Sequence, residues 1–385
     1  MSGALVIGAG VGGLCTALAL QRRGVATTLV ERSAKLGEAA ASWIAGGMLA
    51  PYCEGESASA EIVRLGEGAI DWWEANGATV SRTGTLVVAS PRDAPEIERF
   101  AARTIKHRRL DEAAIAEIEP ELEGRFRRGL FFAGEGHLDP RAALKALLAR
   151  FEALGGTVRF GTEIRETRGF ERVLDCRGFA ARDALPELRP VRGEMLMLRA
   201  RDVHLTRCVR FLHPRIPLYV VPRGEGLYMV GATMIESGDR SGVSARSAIE
   251  LLSAAYALHP AFGEAAIVEM RADVRPAFPD NEPRIVELGG RIYVNGFYRH
   301  GFLLAPAFAE RAARVVAAAP EEREPLALLG PATADFASPD TRGAGFAAEC
   351  RRQSELVSQA DRNVLELLDF LDAAVTDVIE RPDST

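Results

Sequence analysis

Residues 4–31 read ALVIGAGVGGLCTALALQRRGVATTLVE, and three features of that stretch decide the fold. Ala4 to Ile7 is a short apolar run suited to a buried parallel strand, and Gly8-Ala9-Gly10-Val11-Gly12-Gly13 breaks it sharply. Leu14, Ala17 and Leu18 give the following helix its apolar stripe, Gln21-Arg22-Arg23 its basic end, and Gly24 its stop. Thr27 to Val30 reads as a second strand closed by Glu31. In this βαβ unit Gly8 allows the tight turn, Gly10 lets the backbone approach a pyrophosphate, and Gly13 lets the helix pack close to the strand. The unpaired N–H groups at the helix start stabilise a phosphate, and Glu31 is placed to accept hydrogen bonds from a ribose diol. The expectation is an adenine dinucleotide; the alternative is a glycine-rich turn in an ordinary α/β core.

Working outward, the 385 residues suit two domains and a tail. With 47 Lys+Arg against 53 Asp+Glu and no long basic run, nucleic acid is not an expected partner. Five scattered cysteines without a CxxC pair suggest neither a zinc site nor a disulfide framework, and no metal is expected; a reducing cytoplasm fits best. The uncharged run from Ala4 to Leu20 is preceded by no Lys or Arg and punctuated by glycine, so it reads as a phosphate turn rather than a signal sequence or a membrane span.

The stretch Ala39 to Pro51 is too glycine-rich and short for an ordinary core helix, so its backbone groups are expected to approach something closely. Helical patterns follow at Ala60–Ala75 and Pro140–Leu154, with strand-like runs at Gly84–Ala89, Gly129–Phe132, Thr157–Phe160 and Val173–Asp175. Later strands are expected at Glu194–Leu198, Leu218–Val221, Leu227–Val230, Ile267–Ala272 and Ile292–Asn295, and helices at Ser244–Leu258 and Leu303–Ala319. The fold class is therefore α/β. A discontinuous Rossmann-like nucleotide-binding domain (1–80, 136–185 and 276–320) carries an inserted, mainly antiparallel sheet domain (81–135 and 186–275). Residues 321–385 form a partly helical C-terminal extension, in which Val364, Leu367, Leu368, Leu371, Val375 and Val378 fall on one helix face. That face either docks on its own enzyme or on a second subunit of a homo-oligomer, or binds another partner. No second glycine fingerprint is present, so a flavin here would draw its electrons straight from an organic substrate.

Five segments then resemble the D-amino-acid oxidase superfamily of FAD-dependent oxidoreductases, and within it the ThiO glycine oxidases of thiamine biosynthesis. They are Ala41 to Pro51, Pro190-Val191-Arg192-Gly193-Glu194, Leu218 to Arg223 with Val230-Gly231-Ala232-Thr233, Val274-Arg275-Pro276, and Arg299-His300-Gly301-Phe302-Leu303-Leu304-Ala305-Pro306. The resemblance covers about residues 1–320. It implies non-covalent FAD, since the run after Gly301 holds no thiol. It also implies oxidation of glycine or a similar small amine to an imine by hydride transfer to flavin N5, with O2 reduced to H2O2 and the imine hydrolysed or passed to thiazole synthesis. Tyr219 and Arg275 match the family's carboxylate-binding pair and Arg299 a further site arginine. Ser42, Gly46, Gly47, Met48, Gly178, His300, Gly301, Phe302 and Leu303 join Gly8, Gly10, Gly13 and Glu31 as expected FAD contacts. The segment from Pro339 to Ser354 departs from this pattern and resembles a MazE-like antitoxin family.

The chemistry of these residue types supports the assignment. A guanidinium grips a carboxylate in a two-toothed fork and a tyrosine hydroxyl adds a directed hydrogen bond, which together fix the Cα–H of an amino acid. On the residues alone Arg275 could instead pair with Asp273, Asp280 or Glu282, Tyr219 could point to solvent, and His300 could be structural. Two rival functions remain: a D-amino-acid or amine dehydrogenase feeding a quinone or carrier, and a non-catalytic flavin-binding protein with a partner-binding tail.

Overall fold

The structure is a computed structural model and describes residues 3–164, 167–212 and 218–318. The helix expected around Val364 to Val378 lies outside the described residues. The chain begins β1 (Ala4–Ile7), α1 (Val11–Arg22), β2 (Thr27–Val30), β3 (Met48–Leu49), α2 (Pro51–Glu54), α3 (Ala60–Gly66), α4 (Ala69–Ala75), β4 (Val80–Ser81) and β5 (Thr85–Ala89). It continues α5 (Pro95–Arg103), β6 (Arg108–Asp111), α6 (Glu112–Ile118), β7 (Arg128–Phe132), β8 (Gly136–Leu138), α7 (Pro140–Ala153), β9 (Thr157–Arg159) and β10 (Arg172–Asp175). Then come β11 (Arg189–Arg199), β12 (Cys208–Leu212), β13 (Leu218–Pro222), β14 (Leu227–Gly231), α8 (Ala245–Leu258), β15 (Ala266–Ala277), β16 (Arg284–Leu288), β17 (Arg291–Asn295) and α9 (Gly301–Ala317).

Six strands form the first sheet in the order β16-β17-β10-β1-β2-β9. All neighbours are parallel except the edge hairpin β16–β17. That hairpin turns on Gly289-Gly290, both at positive φ, as a two-residue turn matched to strand twist requires. Every residue of β1 is buried, because α1 and α9 cover one face and Ile164 and Phe170 pack on the other.

An eight-stranded sheet, β15-β11-β14-β13-β12-β5-β7-β6, forms the second layer system. It is antiparallel except for β5 beside β12. Strand alternation divides its side chains between two environments. Leu196, Leu198, Leu218 and Val220 enter a core closed by Leu251, Ala254 and Leu258 of α8, while Met195, Met197 and Val221 on the opposite face meet Ile44. A short sheet, β3-β8-β4, completes the structure.

Several elements differ from expectation. The single pattern over Ala60–Ala75 is two helices; at Gly66 a Cβ would lie 2.8 Å from the Leu303 side chain, so the chain turns where α9 comes closest. Strands β11 and β15 outrun the apolar segments read from sequence because they pair with each other along their whole length. Strands β6, β12 and β16 were not anticipated, since each carries arginine in a run without clean alternation.

Helix α9 begins at Gly301 and holds Pro306 in its interior. Proline has no N–H for the carbonyl four residues back, that of Phe302. The buried Trp73 indole N–H supplies the missing donor at 2.8 Å. A Trp73→Phe variant is expected to lose about 1–3 kcal/mol of stability, read by denaturant unfolding; an unchanged midpoint would reject the indole as the replacement donor.

Glu135 is wholly buried between β7 and β8, and its Oε1 accepts the Cys53 N–H at 2.7 Å. Burial pushes its pKa up from 4.5 to about 8, only partly offset by the Cys53 N–H. An acid whose pKa is raised by folding stabilises the fold fully below its unfolded pKa and loses that contribution as pH climbs through the folded value. From below pH 4.5 to above pH 8 the wild type should therefore lose about 5 kcal/mol relative to Glu135→Gln. Chemical denaturation of both proteins at several pH values checks this, and a constant difference would refute it.

Candidate active site

The carboxyl ends of β1, β2, β10 and β17 open into one long cleft that continues under the eight-stranded sheet. Gly8 stands at φ +99°, and a Cβ there would lie 2.8 Å from the Cys176 carbonyl oxygen. At Gly13 a Cβ would come within 1.7 Å of the Gly8 carbonyl oxygen, so only glycine lets α1 start this close to β1. Gly10 caps α1 in extended conformation, and the Val11 N–H donates to Ser42 Oγ at 3.2 Å. Glu31 accepts one backbone N–H on each oxygen, from Ala9 and Ser33, both at 2.9 Å. Its position is thereby fixed, and each oxygen keeps a lone pair for a further donor. Gly178, at φ +58°, takes the turn after β10 along the same cleft.

At the other end, Gly46 and Gly47 bring the backbone of the Ala39–Pro51 stretch against the sheet. A Cβ at Gly46 would sit 2.8 Å from the Tyr219 ring, and one at Gly47, where φ is +67°, 2.3 Å from the Leu138 carbonyl oxygen. Arg223 secures this loop from below, donating to Gly46 O at 2.7 Å and Leu138 O at 3.2 Å. Burial lowers its pKa to about 10, which leaves it charged at neutral pH. Gly301, Phe302 and Leu303 line the cleft at the first turn of α9, where unpaired N–H groups favour negative charge. His300 precedes them with Nδ1 buried and without a partner among the described residues.

Tyr219, Arg275 and Arg299, the residues expected to meet the substrate, all line the cleft. Arg275 donates to the Thr233 carbonyl oxygen at 3.0 Å and has no acidic partner among the described residues. Asp273 pairs instead with Arg240 and Asp280 with Arg284. Its guanidinium lies across Gly193, where a Cβ would be 2.2 Å from Nη2. Behind it, Thr233 Oγ1 donates to Glu194 Oε2 at 3.0 Å and Glu194 Oε1 takes Arg192 Nη2 at 2.9 Å, which fixes the carbonyl that holds Arg275. Burial raises the Tyr219 pKa and the nearby Arg275 charge opposes that rise, so the hydroxyl stays protonated and able to donate. No described residue hydrogen-bonds to it.

Arg299 is differently placed. Its Nη2 lies 2.5 Å from Glu54 Oε2 and donates to Ser57 Oγ at 2.9 Å. His300 Nε2 meets the same Glu54 oxygen at 3.0 Å. Burial would raise the Glu54 pKa, but Arg299, His300 and Arg210 outweigh it and hold the carboxyl well below its usual range. Every residue expected at the site lines the cleft except Gly13, which acts through Gly8. Sequence reasoning missed Glu54, Gly193, Arg210 and Arg223. Gly193 and Arg223 stood inside motifs already noted, whereas Glu54 and Arg210 carried no local signal.

Residues 4–315 match the family model described as FAD dependent oxidoreductase. The chain belongs to that family. A Rhizobium etli protein with the provisional name thiamine biosynthesis oxidoreductase ThiO is 55% identical over 311 residues, which span 80% of this chain and 95% of that one. A Rubrobacter xylanophilus D-amino-acid oxidase is 30% identical, over 82% and 96% of the two chains. Glycine oxidase from Geobacillus kaustophilus shares the fold with a TM-score of 0.70 at 24% identity, covering 84% of this chain and 95% of its own. Residues 337–380 match the Antitoxin MazE-like family model and lie outside the described residues.

The oxidoreductase uses FAD, and its cleft fits that cofactor: cradles at Gly8 and Gly10 where the backbone is bare, an oriented Glu31, and an orphaned imidazole nitrogen at the far end. Among the described residues no helix is long and apolar enough to cross a membrane. A Gly13→Ala variant should lose most of its bound FAD, because α1 must move off β1. Flavin absorbance per protein after gel filtration measures this, and full loading would remove Gly13 from the cradle.

Proposed function

We propose that this oxidoreductase oxidises glycine, or an amine of similar size, to an imine, with O2 reduced to H2O2 and the imine feeding thiazole formation in thiamine biosynthesis. The observation that carries the reading is the uncompensated Arg275 guanidinium, seated on Gly193 and facing the same cleft as the Tyr219 hydroxyl. Such a pair suits a single carboxylate. The name of the Rhizobium etli relative agrees with it.

Bound FAD supplies the two-electron acceptor, so the side chains need only bind, orient and exclude water. Arg275 and Tyr219 hold the substrate carboxylate, which leaves Cα and the amine free to face the flavin. The amine must be neutral when hydride leaves, and Glu54 is a poor base for it, being held ionised by Arg299 and His300. The reading therefore requires an already deprotonated amine. The backbone N–H groups at the start of α9 would stabilise charge developing at the cofactor end. Hydrolysis of the imine completes the balance, glycine, O2 and water giving glyoxylate, ammonia and H2O2. The reading assigns cofactor binding to residues 1–80, 136–185 and 276–320, substrate binding to 81–135 and 186–275, and a cytoplasmic setting.

Anaerobic mixing with glycine followed by air is the direct test. Bleaching of the flavin and rapid reoxidation with peroxide release is the expected result; bleaching with slow reoxidation would point to a dehydrogenase, and no bleaching with glycine, sarcosine or D-alanine would refute the proposal. Arg275→Ala should raise the KM for glycine about 100-fold in a protein that keeps its flavin, and an unchanged KM would take Arg275 out of the carboxylate seat.

A further inference from the structure

Among the guanidiniums that line the cleft besides Arg275, Arg210 and Arg299 are the two that pair with Glu54, and both are engaged by protein groups. All three Arg299 nitrogens face protein groups: Nη2 Glu54 and Ser57, Nε the His300 ring at 3.3 Å, and Nη1 the Met234 sulfur at 3.8 Å. Arg210, buried, sits 3.5 Å from Glu54 Oε1 and 3.5 Å from Glu56 Oε2. Glu54 is therefore the shared counter-charge of both. Glu56 is shared in turn with Arg103 at 3.2 Å, so both glutamates are engaged, and Arg275, held only by a carbonyl oxygen, is left to meet a single substrate carboxylate.

A second observation concerns space. Beyond Arg299 lies another cavity, edged by Glu56, Arg103 and Asp280, and it shares Arg210, Met234, Tyr298, Arg299 and His300 with the cleft. Arg299, held by Glu54 from the cleft side, thus stands in the wall between the two spaces. Room for a longer substrate exists just beyond that wall.

Resting on the glycine oxidase reading, we propose that Glu54 is the specificity residue that confines the site to amines with one carboxylate. By occupying Arg299 and Arg210 it denies a second anionic group its partner, and by holding Arg299 across the wall it closes the outer cavity. With the Glu54 charge removed, a second carboxylate on the substrate takes its place between the two guanidiniums.

The test compares kcat/KM for glycine, D-alanine, D-aspartate and iminodiacetate in the full-length, flavin-loaded wild type and in Glu54→Gln, Glu54→Asp and Glu54→Gln/Arg299→Gln. Glu54→Gln should raise the ratio of dicarboxylate to glycine about tenfold or more. Glu54→Asp, which keeps the charge, should stay near the wild-type ratio, and the double variant should lose the gain. D-alanine, larger than glycine but without a second charge, reports mere loosening of the site; an equal rise for it overturns the proposal, as does an unmoved ratio in a flavin-loaded Glu54→Gln enzyme. Should Glu54→Gln not fold, titration of malonate and acetate into wild type and Arg299→Gln, read by the flavin absorbance band, decides. Loss of Arg299 should then weaken malonate more than acetate, because freed Glu54 repels the second carboxylate, and equal weakening overturns the proposal. A wild type that does not oxidise glycine would instead defeat the underlying function.

Discussion

One contact of backbone on backbone underlies everything else: α1 begins so close to β1 that the Gly8 carbonyl oxygen lies where a Cβ of residue 13 would be. This approach places the bare N-terminus of α1 at the carboxyl edge of the parallel sheet, where oriented N–H groups can meet a pyrophosphate. It also sets α1 near α9, where a Cβ at Gly12 would lie 2.9 Å from the Phe297 ring just before α9 and one at Gly301 3.2 Å from Val11, so small residues position the two helices whose N-termini line the cleft. The Pro306 defect in α9 is tolerated in that crowded core because Trp73 reaches the carbonyl it orphans.

The substrate end is organised by charge. A buried ion whose partner is missing costs several kcal/mol, so cationic side chains in a closed site must be either neutralised by the protein or reserved for a ligand. On the proposed reading this site does both. Arg192, Arg210 and Arg299 each have a glutamate partner, and Arg275 has only a carbonyl. The difference arises from geometry: strand β15 places Arg275 opposite Val191, and the side chain lies over Gly193, away from Asp280 and Glu282, while Asp273 is taken by Arg240. Electrostatic preorganisation of this kind holds a recognition charge in place before any substrate arrives.

Much of this was legible in the chain. Glycine spacing and an acid at the end of the second strand determined the βαβ unit, because backbone close approach and positive φ admit few other residues. Strand and helix periods located most elements of both sheets, and the motif around Val274-Arg275-Pro276 singled out the arginine that stands free in the cleft. Short polar strands such as β12 were not legible, since their arginines belong to ion pairs made across the fold and not to a local period.

What the sequence alone determined was the set of positions where the backbone must be bare, and which side chains were candidates to meet a dinucleotide and a carboxylate. Only the tertiary structure decided which arginine is free and which is neutralised. Glu54 stands 156 positions from Arg210 and 245 from Arg299 in the chain, and no local pattern records a charge balance that exists only once the sheet and α9 close over α2.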